Sequence, residues 1–429
     1  MTQRTFSLSV ALSLALVGSL ALTPAMASPG HGNNGDGNSG STNANSQGKN
    51  QGPPAHVGVQ HDVRFATFNV AMNRSEEGQL REELATPDSQ QIRNVAETIQ
   101  RTRPDVLLLN EFDYDPSGES VNLFRENYLE VGQQGADPID YPYAYAAESN
   151  TGIPSGYDLN GDGRTDGPDD AFGYGEFPGQ YGMVVYSRYP INEAEVRTFQ
   201  HFRWQDMPGH VMPEDYYPAE AEPILRLSSK SHWDLPIQVG NRTVHLLAAH
   251  PTPPAFDGPE ERNKRRNHDE IRFWADYVGN PRQGDYIYDD QGRTGGLAPG
   301  SRFVIAGDYN ADPYDGDSYD NAIWQLLDHH RIDGSVEPRS EGGVEQAQLQ
   351  GGINLEHEGD PALDTSDFSD PPGNLRVDYV LPSKNLNARD AGVFWPTSDD
   401  PLYRLTGTWP FPTSDHRLVW VDLHLPHKR

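Results

Sequence analysis

Four short apolar runs, each stopping on a side chain that can bind metal or phosphate, constrain this chain more than any other feature. The run at 64–68 ends in Asn69, that at 106–109 in Asn110 and Glu111, that at 244–249 in His250, and that at 303–306 in Gly307, Asp308, Tyr309 and Asn310. Apolar runs of four to six residues bounded by turn formers read as strands buried on both faces. Such strands require covering layers, and in layered α/β proteins strand ends on one rim are where ligand-binding groups can converge.

Helical patterns alternate with these strands. Asp88 and Gln91 make a capping-box start for a helix carrying Ile92, Val95, Ala96 and Ile99 at helical spacing, with Pro104 as the stop. A second helix is expected over 260–278, with Ile271, Trp274, Ala275 and Val278 on one face, and a third over 319–327. The stretches 113–180, 201–240, 280–300 and 335–373 are rich in Gly, Pro and Asp and read as long surface insertions.

The N-terminus reads as a targeting segment. Arg4 precedes an apolar run from Phe6 to Leu22, and Ala25, Met26 and Ala27 supply a small-x-small cleavage pattern, so 1–27 is expected to be a signal peptide, removed near Ala27, and not a membrane span. An extracellular or periplasmic protein follows. Residues 28–60, dominated by Gly, Asn, Ser and Gln, cannot bury enough surface to offset their ordering entropy and read as a disordered leader. Residues 61–429 then form one α/β catalytic domain, expected to be a monomer. The absence of cysteine excludes disulfide stapling and any thiol nucleophile. A net charge of −30 repels polyanions, so no stable nucleic-acid complex is expected. A nuclease that bridges acid to phosphate through divalent cations stays compatible with that charge.

One local motif points to a structural ion. Asp158, Asn160, Asp162, Arg164 (through its carbonyl), Asp166 and Asp169 occupy positions 1, 3, 5, 7, 9 and 12 of a calcium loop, with Gly163 at the sixth. Asp replaces the usual Glu at the last position, and an acidic Asx-turn loop is the alternative.

The catalytic candidates are scattered. A carboxylate at a strand end, Glu111, can hold Mg²⁺ or Mn²⁺ while leaving positions for phosphate and water, or can be a plain surface acid. His250 opens a proline-rich turn at 250–254 that would fix its imidazole, though a hydrogen-bonded structural histidine is the alternative. Asp308 and Asn310 flank Tyr309 in an extended turn, with an Asx-turn as the other reading. Asp415 beside His416 offers a ligand next to a general base, and Asp378 could orient that base.

Taken in order, the set Asn69, Asn110-Glu111, 186–191, His250, 307–310, 376–379 and Ser414-Asp415-His416 resembles the endonuclease/exonuclease/phosphatase superfamily, the DNase-I-like fold, over roughly 61–427. The resemblance implies a four-layer α/β/β/α sandwich with long loop insertions. It implies that Glu111 binds the catalytic Mg²⁺ or Mn²⁺ with Asn69 and Asp415, and that Asp308 and Asn310 contact phosphate or position water. It further implies that His416 is the base, oriented by Asp378, and that His250 stabilises or protonates the far side of the phosphate. Two departures stand out: Asn110 replaces the usual Gln before the metal-binding Glu, and no acid near 181–187 supports His250, Gln180 and Glu176 being the nearest candidates.

The basic segment 261–270 can be read as Arg262, Arg265 and Arg266 gripping a substrate phosphate, or as the solvated half of a helix with internal Glu–Arg pairs. The aromatic stretches 141–145 and 201–204 could stack a base or sugar, or pack beneath the insertions. The expectation is a secreted phosphoesterase with catalytic Mg²⁺ or Mn²⁺ and a structural Ca²⁺. Its substrate would be a phosphorylated small molecule, or alternatively extracellular DNA or RNA. A calcium-stabilised binding protein on a degenerate scaffold is the reading of another class.

Overall fold

The computed structural model describes residues 62–425. The expected signal peptide and the leader lie outside the described residues. In chain order the strands are β1 (Val63–Met72), β2 (Val106–Phe112), β3 (Tyr143–Tyr145), β4 (Met183–Ser187), β5 (Arg197–Thr198), β6 (His232–Val239) and β7 (Arg242–Ala249). They continue with β8 (Arg302–Asp308), β9 (Ser366–Asp367), β10 (Asn374–Leu375), β11 (Asp378–Pro382), β12 (Asn387–Val393) and β13 (Val419–His424). One sheet has the order β12-β13-β1-β2-β4-β3 and the other β11-β8-β7-β6-β5, while β9 and β10 form a separate ribbon.

Strand residues alternate between two apolar layers, which is why the runs are continuous in sequence. Phe65, Val106, Leu108, Met183 and Val185 meet Leu235, Val244, Leu246, Ala248, Val304 and Ala306 between the sheets. The opposite faces of the first sheet, Ala66, Phe68, Leu107 and Leu109, pack on Ile92, Val95 and Ile99 of the helix Gln90–Thr102. Leu247, Phe303, Ile305 and Leu381 of the second sheet pack on Ile271, Trp274 and Val278 of the helix Arg262–Val278. The result is the expected α/β/β/α sandwich. Each fully buried side chain of this size contributes roughly 1.5–3 kcal/mol relative to exposure. Among the described residues no helix is long and apolar enough to cross a membrane.

Several local expectations are corrected. The stretch 201–240 is not a surface insertion throughout, because it contains β6 and the buried Trp204 and Trp233. In β6 His232, Asp234, Pro236 and Gln238 interrupt the apolar pattern. Asp234 is nevertheless buried, accepting hydrogen bonds from the Tyr277 hydroxyl (2.6 Å) and from His245 (2.6 Å). Pro236 is tolerated because it lies toward the outer edge of the sheet, where only a single bridge, Ile191 to Ile237, continues beyond β5. Its carbonyl accepts the Asn192 N–H at 2.9 Å, and the next edge N–H, that of Gln238, donates to the Pro190 carbonyl at 2.8 Å. The third helix breaks into a 3₁₀ turn at Tyr319–Asn321, with Asp320 left-handed, and a short helix at Trp324–Leu327. No capping box forms at Asp88 and Gln91. The Gln91 amide instead donates to the carbonyls of Val70 and Thr413, both at 2.9 Å. In the aromatic stretches Tyr141, Phe202 and Trp204 are buried and pack, while Tyr143 stays exposed.

Candidate active site

Parallel pairing brings the strand ends level. Asn69 of β1 stands opposite Asn110 of β2, so Glu111 leaves the first sheet at its rim. Ala248 of β7 pairs with Ala306 of β8, so His250 and Asp308 leave the second sheet together. The sheets are bridged there by the Asn69 amide, which donates to Asp308 Oδ2 at 3.0 Å. Gly307 makes the approach possible: with φ of 150°, a Cβ at this position would sit 1.9 Å from the Ala249 carbonyl oxygen. Left-handed backbone recurs at the same rim, at Ala71 (47°), Glu111 (59°) and Asn310 (52°). Each costs a non-glycine residue about 1–2 kcal/mol, and such strain clusters where a structure must aim a side chain.

Asp308, Asp378 and His416 are buried and close together. The His416 Nδ1 lies 2.8 Å from Asp378 Oδ2, which also accepts the Thr365 hydroxyl at 2.8 Å. This leaves His416 Nε2 facing Asp308 Oδ2 at 3.7 Å. Burial disfavours the imidazolium, but Asp378 and Asp308 outweigh it and hold His416 well above the ordinary histidine range. Burial pushes Asp378 up to about 6 despite the opposing pull of His416. Burial would raise Asp308 too, yet His416, His250 and the Asn69 amide hold it well below the usual carboxylate range. The ring of Phe368 meets the His416 ring edge-on, 5.4 Å between centroids.

Glu111 stands beside this group on the first sheet, half-buried like Asp415. Burial, then repulsion from Asp415, pushes its carboxyl up to about 7 against the opposing effects of the Asn69 amide and His416. No Lys, Arg or His lies within 4.0 Å of the Glu111 or Asp415 carboxylates among the described residues. Two hard-oxygen donors that repel each other, flanked by an amide, fit Mg²⁺ or Mn²⁺. The trio Asp308, Asp378 and His416 also has ligand atoms within 4.8 Å of one another. Its imidazole Nδ1 and Asp378 Oδ2 are already spent on each other, which suits a proton relay better than an ion. Asn110 does not take the expected place beside Glu111. Its Oδ1 accepts the Thr67 hydroxyl at 3.1 Å, and the amide near Glu111 is that of Asn69. Behind Glu111, Asp113 is buried and pushed up to about 7 by that burial, while accepting the backbone N–H groups of Arg74 and Tyr181.

On the other side of Asp308 stands His250, its Nε2 3.4 Å from Asp308 Oδ2. Burial and then Lys230 lower its pKa to about 4, so the imidazole is neutral. Neither Gln180 nor Glu176 supports it: Gln180 donates to the Arg74 carbonyl and accepts the Glu176 N–H. The carboxylate that His250 faces is Asp308 itself. Asn310 turns its amide to the Pro251 carbonyl at 3.1 Å, steadying the turn that follows His250. Sequence reasoning missed Lys230. It is buried in the polar stretch 228–231 just before β6, in the field of Glu270, Glu111 and Asp308. No carboxylate lies within 4.0 Å of its ammonium among the described residues.

The arginines proposed to grip phosphate are engaged elsewhere. Arg266 donates to the carbonyls of Leu227, Phe172 and Arg226 at 2.8, 2.5 and 2.9 Å. Arg262 pairs with Glu260 at 2.6 Å and with Asp169 at 3.7 Å, and Arg265 lies 3.8 Å from Glu261. They tie insertions to the helix. In the loop at 158–169, the Asp158 carboxylate accepts the N–H groups of Gly161, Asp162 and Gly163. Asn160 Oδ1 accepts the Asp162 N–H, and Arg164 pairs with Asp166 at 3.0 Å. Asp169 faces Arg262. The buried carboxylate that closes the loop is its neighbour Asp170, which accepts Leu159 N–H and Gly167 N–H.

A family model described as the endonuclease/exonuclease/phosphatase family matches residues 66–416. A search of curated proteins with this sequence finds no match. Among solved structures, an endonuclease/exonuclease/phosphatase from Beutenbergia cavernae is 17% identical, with a TM-score of 0.47, 85% of this chain and 72% of that chain being covered. A beta toxin mutant from Staphylococcus aureus with bound magnesium ions is 14% identical (TM-score 0.41; 84% and 99% covered). A mannosyl-6-phosphatase from Bacteroides thetaiotaomicron is 11% identical (TM-score 0.41; 85% and 100% covered). With the family match running from β1 to the catalytic-histidine candidate His416, the chain belongs to the endonuclease/exonuclease/phosphatase family and is a metal-dependent hydrolase of phosphoric esters.

Proposed function

We propose that this protein is a secreted phosphoesterase that cleaves phosphate mono- or diesters of small or medium-sized compounds by in-line attack of water. The observation that carries the reading is the His416–Asp378 hydrogen bond. With Nδ1 committed at 2.8 Å, Nε2 is the atom presented toward Asp308 and the Glu111 side of the site. A divalent ion held by Glu111, Asn69 and Asp415 would supply neutralisation of charge on the phosphate oxygens. The pull of Asp378 and Asp308 that favours the His416 imidazolium would be countered by a cation at the Glu111 and Asp415 carboxylates. In its neutral form His416 accepts the proton of the attacking water at Nε2, and Asp378 with Asp308 stabilises the imidazolium that results. Asp308 fixes both imidazoles and orients the water. His250, neutral with a pKa lowered to about 4, has a single N–H and turns Nε2 to Asp308, so it positions that carboxylate rather than acting as an acid. Lys230 supplies positive charge toward the phosphate.

The acidic composition favours a small substrate over a polyanion. Export is supported by the apolar run and cleavage pattern at 6–27. A structural Ca²⁺ is supported by the oxygen spacing at 158–169. The test is Mg²⁺- or Mn²⁺-dependent release of nitrophenol from mono- and bis-nitrophenyl phosphate. The panel extends to nucleotides, sugar phosphates, phospholipid head groups, RNA and plasmid DNA. Glu111→Ala and His416→Ala should both be inactive. Full activity in either overturns the site, preference for DNA makes the protein a nuclease, and silence on every substrate favours a binding protein.

A further inference from the structure

The sequence pattern of the helix Arg262–Val278 predicts burial of its C-terminal stripe alone, yet Asn267, Asp269 and Glu270 are completely buried. Glu270 reaches into the rim between two loops. Its Oε1 accepts the backbone N–H of Ser229, the neighbour of Lys230, at 2.6 Å. Its Oε2 accepts the backbone N–H of Thr252, two residues beyond His250, also at 2.6 Å. One turn earlier, the Asn267 amide donates to the carbonyls of Thr252 (2.8 Å) and Tyr309 (2.9 Å), the latter lying between Asp308 and Asn310. Two charge-assisted bonds of this length are strong and directional. They tie together segments 18 and 41 residues distant from Glu270 in sequence. A carboxylate is the one side chain that can accept both N–H groups at once. The equivalent amide has a single acceptor oxygen and must turn its NH₂ toward the second N–H.

We infer that Glu270 is a positioning residue: with Asn267 it sets the spacing between Lys230 and His250, the two groups that the second sheet contributes beside Asp308. The inference rests on the phosphoesterase reading for its effect on turnover, but not for its effect on geometry. Glu270 contacts neither the reacting atoms nor the Glu111 side, so its loss should disturb one half of the site and spare the other.

The experiment is Glu270→Gln, measured in two ways. In steady-state kinetics on bis-nitrophenyl phosphate, kcat/KM should fall at least 10-fold, while the Mg²⁺ concentration for half-maximal activity stays within 2-fold of the parent protein. In histidine-ring NMR spectra of the metal-free protein, with signals assigned through His250→Gln and His416→Gln, the His250 resonance should move and the His416 resonance should not. The inference is overturned by kcat/KM within 3-fold of the parent, by an unmoved His250 signal, or by both histidines and the Mg²⁺ midpoint shifting together. The last result would make the helix a general support. If the parent protein turns over no ester, the phosphoesterase reading fails and the NMR result alone decides the clamp. Should Glu270→Gln lose its cooperative melt, Asn267→Ser, which removes the bonds to Thr252 and Tyr309, is judged by the same criteria.

Discussion

Replacing Asp378 with Asn isolates the orientation of the base from every other feature of the site. At 2.8 Å and an effective dielectric of about 20, the Asp378–His416 attraction is at most about 6 kcal/mol. Burial of both groups takes back most of it, and a charge-assisted hydrogen bond nets about 1.5–3 kcal/mol, equivalent to roughly 10- to 150-fold in rate. A tautomer effect adds to that loss. The substituted amide can turn its NH₂ to Nδ1, which places the proton on Nε2 and removes the lone pair that must accept from water. The upper bound is then the full contribution of a general base, about 10²- to 10⁴-fold. Asp378→Asn should therefore lower kcat on bis-nitrophenyl phosphate by about 10²- to 10⁴-fold. Stability should hardly change, because burial already disfavours the ionised carboxylate, and a Tm shift of no more than about 4 °C is expected. Activity within 5-fold of the parent at saturating Mg²⁺ would refute the assignment of His416 as a base oriented by Asp378.

Three further outcomes are expected. Glu111→Gln should reduce turnover to background and abolish the rise in Tm that Mg²⁺ confers on the parent; an undiminished Mg²⁺-dependent rise would remove Glu111 from the metal site. Gly307→Ala forces a Cβ into the Ala249 carbonyl and should cost about 2–4 kcal/mol by combined overpacking and backbone strain, so an unchanged urea midpoint would contradict the close approach of β7 and β8. Burial, then repulsion from Asp312, Asp315 and Asp360, pushes Asp364 up to about 8. A carboxyl raised in the folded state binds more protons folded than unfolded, so stability falls as pH climbs between its unfolded value of 3.8 and about 8. The slope from this one group is at most about 1.4 kcal/mol per pH unit. Asp364→Asn should therefore gain stability over the parent at pH 8 and lose that advantage near pH 4, and equal urea midpoints at pH 8 would disprove the shift.

The sandwich and its rim were legible because they follow local rules. Strands covered on both faces must be apolar at successive positions, so the runs ending at Asn69, Glu111, His250 and Asp308 marked both the sheets and the places where function could sit. Their chain order was enough for the family. Strand β6 alternates Trp233, Leu235, Ile237 and Val239 with polar residues, a strand pattern masked by Pro236 and by its place within a Gly- and Pro-rich stretch. The partners that let Asp234 be buried could not be read from that pattern. Buried polar groups across the rim were opaque for the same reason. Asn267 and Glu270 stand one turn before Ile271 and Trp274, but their polar side chains hid both their burial and what they would hold. The side chains of Arg266 and Gln91 have the right chemistry for gripping a phosphate and for capping a helix. Only the tertiary structure decided that unpaired loop carbonyls at Leu227 and Thr413 would claim them first. Sequence alone determined where the strands end and which chemistry they end on. The packing of two sheets determined which of those groups face one another, because contacts between segments tens to hundreds of residues apart depend on where every buried donor and acceptor finds its partner.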